Sequence, residues 1–173
     1  MEPGRKYRFT WDLLGDLKTG RPNLGNQTSV EVYRLMQFTF RDVAEKQLGV
    51  EKADLLFREA GKLAGTQFYD HVLGSVTQFN ELVGRLQKAF KEMGIGILRI
   101  EEADSKNRSF HLTISEDLDC SGLPELGYQI CVYDEGFIAG LLERFFGETF
   151  KVKEEECWST GDRMCRFVAQ ISD

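Results

Sequence analysis

Cys131-Val-Tyr-Asp-Glu-Gly-Phe-Ile-Ala-Gly140, Phe150-Lys-Val-Lys-Glu154-Glu-Glu-Cys157 and Gly161-Asp-Arg-Met-Cys165-Arg-Phe167 are the three runs on which the fold turns. The first has glycines four residues apart, Gly136 and Gly140, inside a helical pattern predicted over residues 129–146 and ended by Gly147. The other two alternate on either side of Trp158-Ser-Thr-Gly-Asp162, which predicts a hairpin of strands over 149–157 and 164–171. Cys157 and Cys165 flank its turn and can face each other, and Cys131 lies near the start of the helix that leads back into it. Three thiols and the Glu154 carboxylate suit a borderline divalent cation such as zinc, and four protein ligands would close a tetrahedral shell. A closed shell gives the metal a structural role. Its excess negative charge calls for nearby cations, for which Lys153, Arg163 and Arg166 are available. The four cysteines of the chain have two other readings, buried apolar thiols without metal or two disulfides in one of three pairings. A reducing cytosol disfavours the disulfides.

Upstream the pattern is helical. Thr28-x-x-Glu31 reads as a capping box opening a helix with Val32, Leu35, Met36 and Val43 on one face, stopped by Gly49. A second helix is predicted over residues 52–73, with Leu56, Phe57, Ala60, Leu63, Ala64 and Phe68 at helical spacing. Gly61 and Gly65 on it allow another backbone to approach closely, at a cost in helix propensity. A third is predicted over 78–93, ended by Gly94. The period then changes from 3.6 to 2, giving strands over 97–101 and 110–115 around the turn 104–108, with Phe110, Leu112 and Ile114 on one face and His111 and Thr113 on the other. Helices followed by helix mixed with antiparallel strands define an α+β class. Residues 1–27 form an arm around one apolar island, Phe9-Thr-Trp-Asp-Leu-Leu14, fit to dock on its own domain or a partner, and residues 28–173 form a single domain.

Composition narrows the function. With 22 Lys plus Arg against 28 Asp plus Glu, the formal charge of -6 and the lack of a basic stripe disfavour nucleic acid. No run reaches the roughly 20 apolar residues of a membrane span, and no apolar stretch follows the first residues as in an export signal, so a cytoplasmic location is expected. No glycine motif for dinucleotide or phosphate opens a βαβ unit. His71 and His111, the two histidines, lack partners at catalytic spacing. His71 reads as a cation near a helix C-terminus. The apolar residues Phe79, Phe90, Phe110, Leu112, Phe137 and Phe145 read first as core, and the first five as the candidate lining of a ligand cavity.

The Cys131–Gly140 run, Glu154-x-x-Cys157 and Gly161-Asp-x-x-Cys165 together resemble the 4-vinyl reductase domain, most strongly over residues 95–173. The resemblance implies helices packed on an antiparallel sheet, as in the haem–nitric-oxide-binding and vesicle-tethering-subunit folds, with a zinc-clamped C-terminal hairpin. It places zinc on Cys131, Glu154, Cys157 and Cys165, and leaves Cys120 outside that pattern, as a free thiol or as a substitute for Glu154 in the fourth position. It implies non-enzymatic binding of a small hydrophobic or aromatic molecule, as a sensor or carrier. The strand Phe110–Ser115 lacks the tryptophan with which the family's sensors hold a phenol, so a more apolar ligand is expected. A role in tetrapyrrole vinyl reduction and a role as a protein–protein adaptor are the alternatives. The small-residue helix faces and the apolar arm also permit a homodimer.

Overall fold

The structure is a computed structural model that describes residue 4 and residues 6–172; the parts of the 1–27 arm on residues 1–3 and 5 lie outside these. The order is helix α1 (Val30–Leu48), helix α2 (Val50–Phe68), helix α3 (Phe79–Met93), strand β1 (Ile97–Asp104), strand β2 (Ser109–Ser115), helix α4 (Val132–Phe146), strand β3 (Phe150–Glu156) and strand β4 (Cys165–Ile171). The four strands form one antiparallel sheet in the order β1-β2-β4-β3. The α+β reading is borne out.

Alternation in β2 puts Phe110, Leu112 and Ile114 into the core, and Phe167 and Ala169 of β4 join them fully buried. Across that layer lie α3, contributing Leu82 and Phe90, and α4, contributing Ile138, Leu141 and Leu142. Helix α4 is held between this core and α2 by the glycines. A Cβ on Gly61 would stand 2.0 Å from the Tyr133 carbonyl oxygen, and one on Gly136 would stand 2.0 Å from that of Arg58. Gly65 and Gly140 meet Phe137 and Lys62 oxygens in the same way. Two backbones this close cannot admit a methyl group. Ion pairs flank the seam, Arg58 with Glu135 at 2.6 Å and Lys62 with Glu143 at 2.8 Å.

Three expectations need correction. The N-cap of α1 is Ser29, not Thr28, and its side chain makes no cap hydrogen bond. The apolar face Val32, Leu35, Met36 and Val43 exists but points to solvent, while the buried residues of α1 are Arg41 and Ala44. Polar bonds decide that orientation. Tyr33 donates to Asp119 at 2.8 Å, Gln37 to the same carboxylate at 2.6 Å, Arg34 to the Leu118 carbonyl at 2.7 Å and Arg41 to Asp54 at 2.6 Å. In α2 the buried side is Ala53, Phe57, Gly61, Gly65 and Phe68, and Leu56 and Leu63 stay exposed because the glycine seam sets the rotation. Of the apolar island in the arm, Trp11 stacks on His71 with ring centroids 4.9 Å apart, while Leu13 and Leu14 remain exposed.

Candidate metal centre and apolar cavity

Four cysteines from four places in the chain converge. Cys131 is the N-cap of α4, Cys157 precedes a short helical turn (Trp158–Thr160), Cys165 opens β4, and Cys120 sits on the loop between β2 and α4. All four are fully buried, none is in a disulfide, and their sulfurs lie within 4.8 Å of one another. The Cys131 sulfur is 3.8 Å from those of Cys157 and Cys165, and Cys120 and Cys165 are 3.0 Å apart. Bonds of about 2.3 Å from a tetrahedral zinc give sulfur–sulfur edges of about 3.8 Å. Two of the observed separations match that edge. The third is shorter and would have to open around an ion. In donor chemistry and spacing the set fits a thiophilic divalent cation, with all four positions supplied by protein.

The surroundings prepare the sulfurs. Ser159 donates from its hydroxyl to the Cys157 sulfur at 3.0 Å, and the Cys157 amide donates to Asp162 at 3.1 Å. Hydrogen bonds from Cys120, then Cys131 and Cys165, push the Cys157 thiol down from its ordinary value. Glu154 is buried against the cluster: its Oε2 accepts from the Cys131 amide at 3.2 Å, and its Oε1 has no partner. Burial, then the charge of Cys157, pushes the Glu154 carboxyl up to about 9. The loop that brings in Cys120 is shaped by Asp117, whose Oδ1 accepts the amides of Asp119 at 2.8 Å and Cys120 at 3.1 Å. The side chains of α1 then hold that loop through Asp119 and the Leu118 carbonyl. The cations proposed as counter-charges face other groups: Lys153 meets Glu135, Arg166 meets Glu101 and Glu156, and Arg163 lies over the Trp158 ring.

A second feature lies between α3, α4 and the sheet. Phe79, Phe90, Phe110, Leu112 and Phe137 line one cavity of about 30 Å³, together with further residues of α3, α4 and β1, and its wall is wholly apolar. Phe79 stacks on Phe110 with centroids 4.7 Å apart, and Phe110 on Phe146 at 5.5 Å. Phe90, Phe137 and Ile138 separate this space from a neighbouring one of about 180 Å³ that reaches Tyr33, Asp119 and Asp134.

Sequence spacing singled out Cys131, Cys157, Cys165 and Glu154, and the fold brings the three sulfurs together with Glu154 alongside. Cys120, the alternative to Glu154 for the fourth position, has its sulfur among them. Ser159 and Asp117 went unnoticed, since a serine in a turn and an aspartate in an acidic loop carry no signal until the fold puts them beside a cysteine.

Residues 110–171 match the family model of the 4-vinyl reductase domain. The chain is 27% identical over 150 residues to the uncharacterised Methanocaldococcus jannaschii protein MJ1642, covering 87% of this chain and 82% of that one. Among solved structures it resembles a vinyl-4-reductase family protein of M. jannaschii, with a TM-score of 0.59 and 22% identity over 86% of this chain and 85% of the other. It also resembles the phenol-responsive sensory domain of the transcription activator PoxR with phenol (TM-score 0.61, 17% identity, 77% and 71% covered). A third similar fold is a trafficking protein particle complex subunit 3 from Naegleria fowleri, covalently bound to palmitic acid (TM-score 0.58, 16% identity, 81% and 95% covered).

Proposed function

We propose that this chain, which carries a 4-vinyl reductase domain over residues 110–171, binds a small hydrophobic or aromatic molecule between α3, α4 and the sheet, as a sensor or carrier without catalysis of its own. One observation carries the reading: Phe79, Phe90, Phe110, Leu112 and Phe137, from a helix, a strand and a second helix, line a single cavity with no polar wall. The ligand-bound folds it resembles, one with phenol and one with palmitic acid, support binding as a use of this architecture. At about 30 Å³ the cavity is in a closed form, since a dry cavity that accepts benzene is about 150 Å³. Entry requires α3 to move outward, with Phe79 unstacking from Phe110.

The metal is zinc in this reading, held by the thiolates of Cys131, Cys157 and Cys165, with Cys120 closing the shell; Glu154 is the competing fourth ligand. When bound it would offset part of the thiolate charge and tie the hairpin to the start of α4. Four reduced, buried thiols suit a reducing compartment such as the cytoplasm. Among the described residues no helix is long and apolar enough to cross a membrane.

Titration with toluene and naphthalene, followed by heteronuclear NMR, tests the cavity. Saturable shifts centred on Phe79, Phe110 and Phe137 are expected, and Phe79→Ala should tighten the larger probe by relieving the size limit. Shifts that never saturate, or that cluster elsewhere, overturn the reading. The adaptor reading is favoured by the same small volume. The tetrapyrrole reading draws least from this site, because a macrocycle needs far more room than benzene.

A further inference from the structure

The space of about 180 Å³ next to the apolar cavity differs from it in chemistry. Four rings line it, those of Tyr33 on α1, Phe90 on α3 and Tyr133 and Phe137 on α4, and so do Asp119 and Asp134. Asp119 is satisfied, since Tyr33 donates to it at 2.8 Å and Gln37 at 2.6 Å. Asp134, in the first turn of α4, is not: its Oδ2 is buried and has no hydrogen-bond partner. Gln37 leaves its own Oε1 buried and unpartnered in the same way. Both orphans are acceptors, so what this region lacks is a donor. The charges acting most on Asp134 are those of Asp119, Asp117 and Glu154, all of its own sign. Among the described residues none of Asp117, Asp119 and Asp134 is in an ion pair. Arg34, the cation beside Asp119, is engaged by the Leu118 and Asp117 carbonyls.

We propose that this chamber is a second binding site, which takes a small primary amine with a single-ring apolar group, its ammonium donating to Asp134 Oδ2. An ammonium supplies the missing N–H donors and the missing positive charge together. Aromatic rings around it attract a cation through their faces. The volume exceeds the roughly 150 Å³ of a dry cavity that accepts benzene, so one ring fits. A neutral hydrocarbon would leave Oδ2 without a donor, and an anion would be repelled by the carboxylates. A metal ion is the poorer occupant. Asp117, Cys131 and Asp134 offer it three ligand atoms, but Asp117 Oδ1 already accepts two amides and Cys131 belongs to the sulfur cluster. Phe90, Phe137 and Ile138 wall the chamber off from the apolar cavity, so this site does not depend on the binding proposed there.

Benzylamine at neutral pH, where it is a cation, tests this on the full chain by calorimetry and heteronuclear NMR, with toluene as the same shape lacking the donor. Benzylamine is expected to bind at least about tenfold tighter than toluene at this chamber. It should move the amides of Tyr33, Tyr133 and Ile114 and the carboxyl carbon of Asp134, which toluene leaves in place. Asp134→Asn keeps the side chain's shape and should weaken benzylamine by at least about tenfold, with circular dichroism and cysteine-bound metal unchanged. The carboxyl resonance of the parent chain reads the same contact without any variant. Equal affinity for the two probes, benzylamine shifts confined to Phe79 and Phe110, or undiminished binding by Asp134→Asn each overturns the proposal. So does a second equivalent of metal that Asp134→Asn loses, which gives the chamber to a metal ion. Toluene binding at Phe79 and Phe110 is read separately in the same titration, so either site can fail without the other.

Discussion

At the scale of single residues, the cysteines decide most. Cys157 sits where a strand ends and a helical turn begins, so its sulfur meets the Ser159 hydroxyl and its amide meets Asp162. Losing it with Cys165 removes two of the four clustered sulfurs together. For the zinc site proposed above, Cys157→Ser with Cys165→Ser is expected to abolish stoichiometric zinc by elemental analysis and to lower Tm steeply, because structural zinc contributes on the order of 10 kcal/mol. The fourth position separates by a paired experiment. With Cys120 closing the shell, Cys120→Ser loses metal while Glu154→Gln retains it, and the reverse result assigns the position to Glu154. The buried, unpartnered Glu154 Oε1 is the reason the second variant is informative.

At the scale of elements, the seam between α2 and α4 carries a clear prediction. The obstacles facing Gly61, Gly65, Gly136 and Gly140 are carbonyl oxygens 2.0–2.1 Å from any added Cβ, and backbone cannot swing aside like a side chain. Gly136→Ala is therefore expected to destabilise by about 3 kcal/mol or more, at or beyond the upper end of ordinary overpacking. The midpoint of urea unfolding reads this directly. Gly84, on α3, has nothing within 4 Å of an added Cβ, and Gly84→Ala should be neutral or slightly stabilising through helix propensity. The contrast shows that spacing alone does not give a glycine its meaning, since both lie on helices.

For the whole molecule, the cysteine cluster and α1 are linked through one loop. Asp117 folds the segment that presents Cys120, and Tyr33, Arg34 and Gln37 of α1 hold the same segment. Chelation by a strong zinc ligand is expected to loosen α1 as well as the hairpin, seen as faster amide hydrogen exchange over residues 30–48.

The sequence by itself determined the α+β class, the four strands and four main helices, the apolar faces of β2 and the meeting of Cys131, Cys157 and Cys165. These follow from period, turn chemistry and short separations along the chain, all of which are local. The family resemblance rested on the same short runs. Only the tertiary structure decided which way α1 faces, because an amphipathic pattern names two sides without saying which is inner. The polar partners that settle the matter, Asp54 and Asp117–Asp119, lie outside that helix and carry no mark of the pairing. Cys120 joins the sulfurs for the same reason: a loop has no period, and its course is fixed by bonds to a helix 84 and 86 residues earlier in the chain.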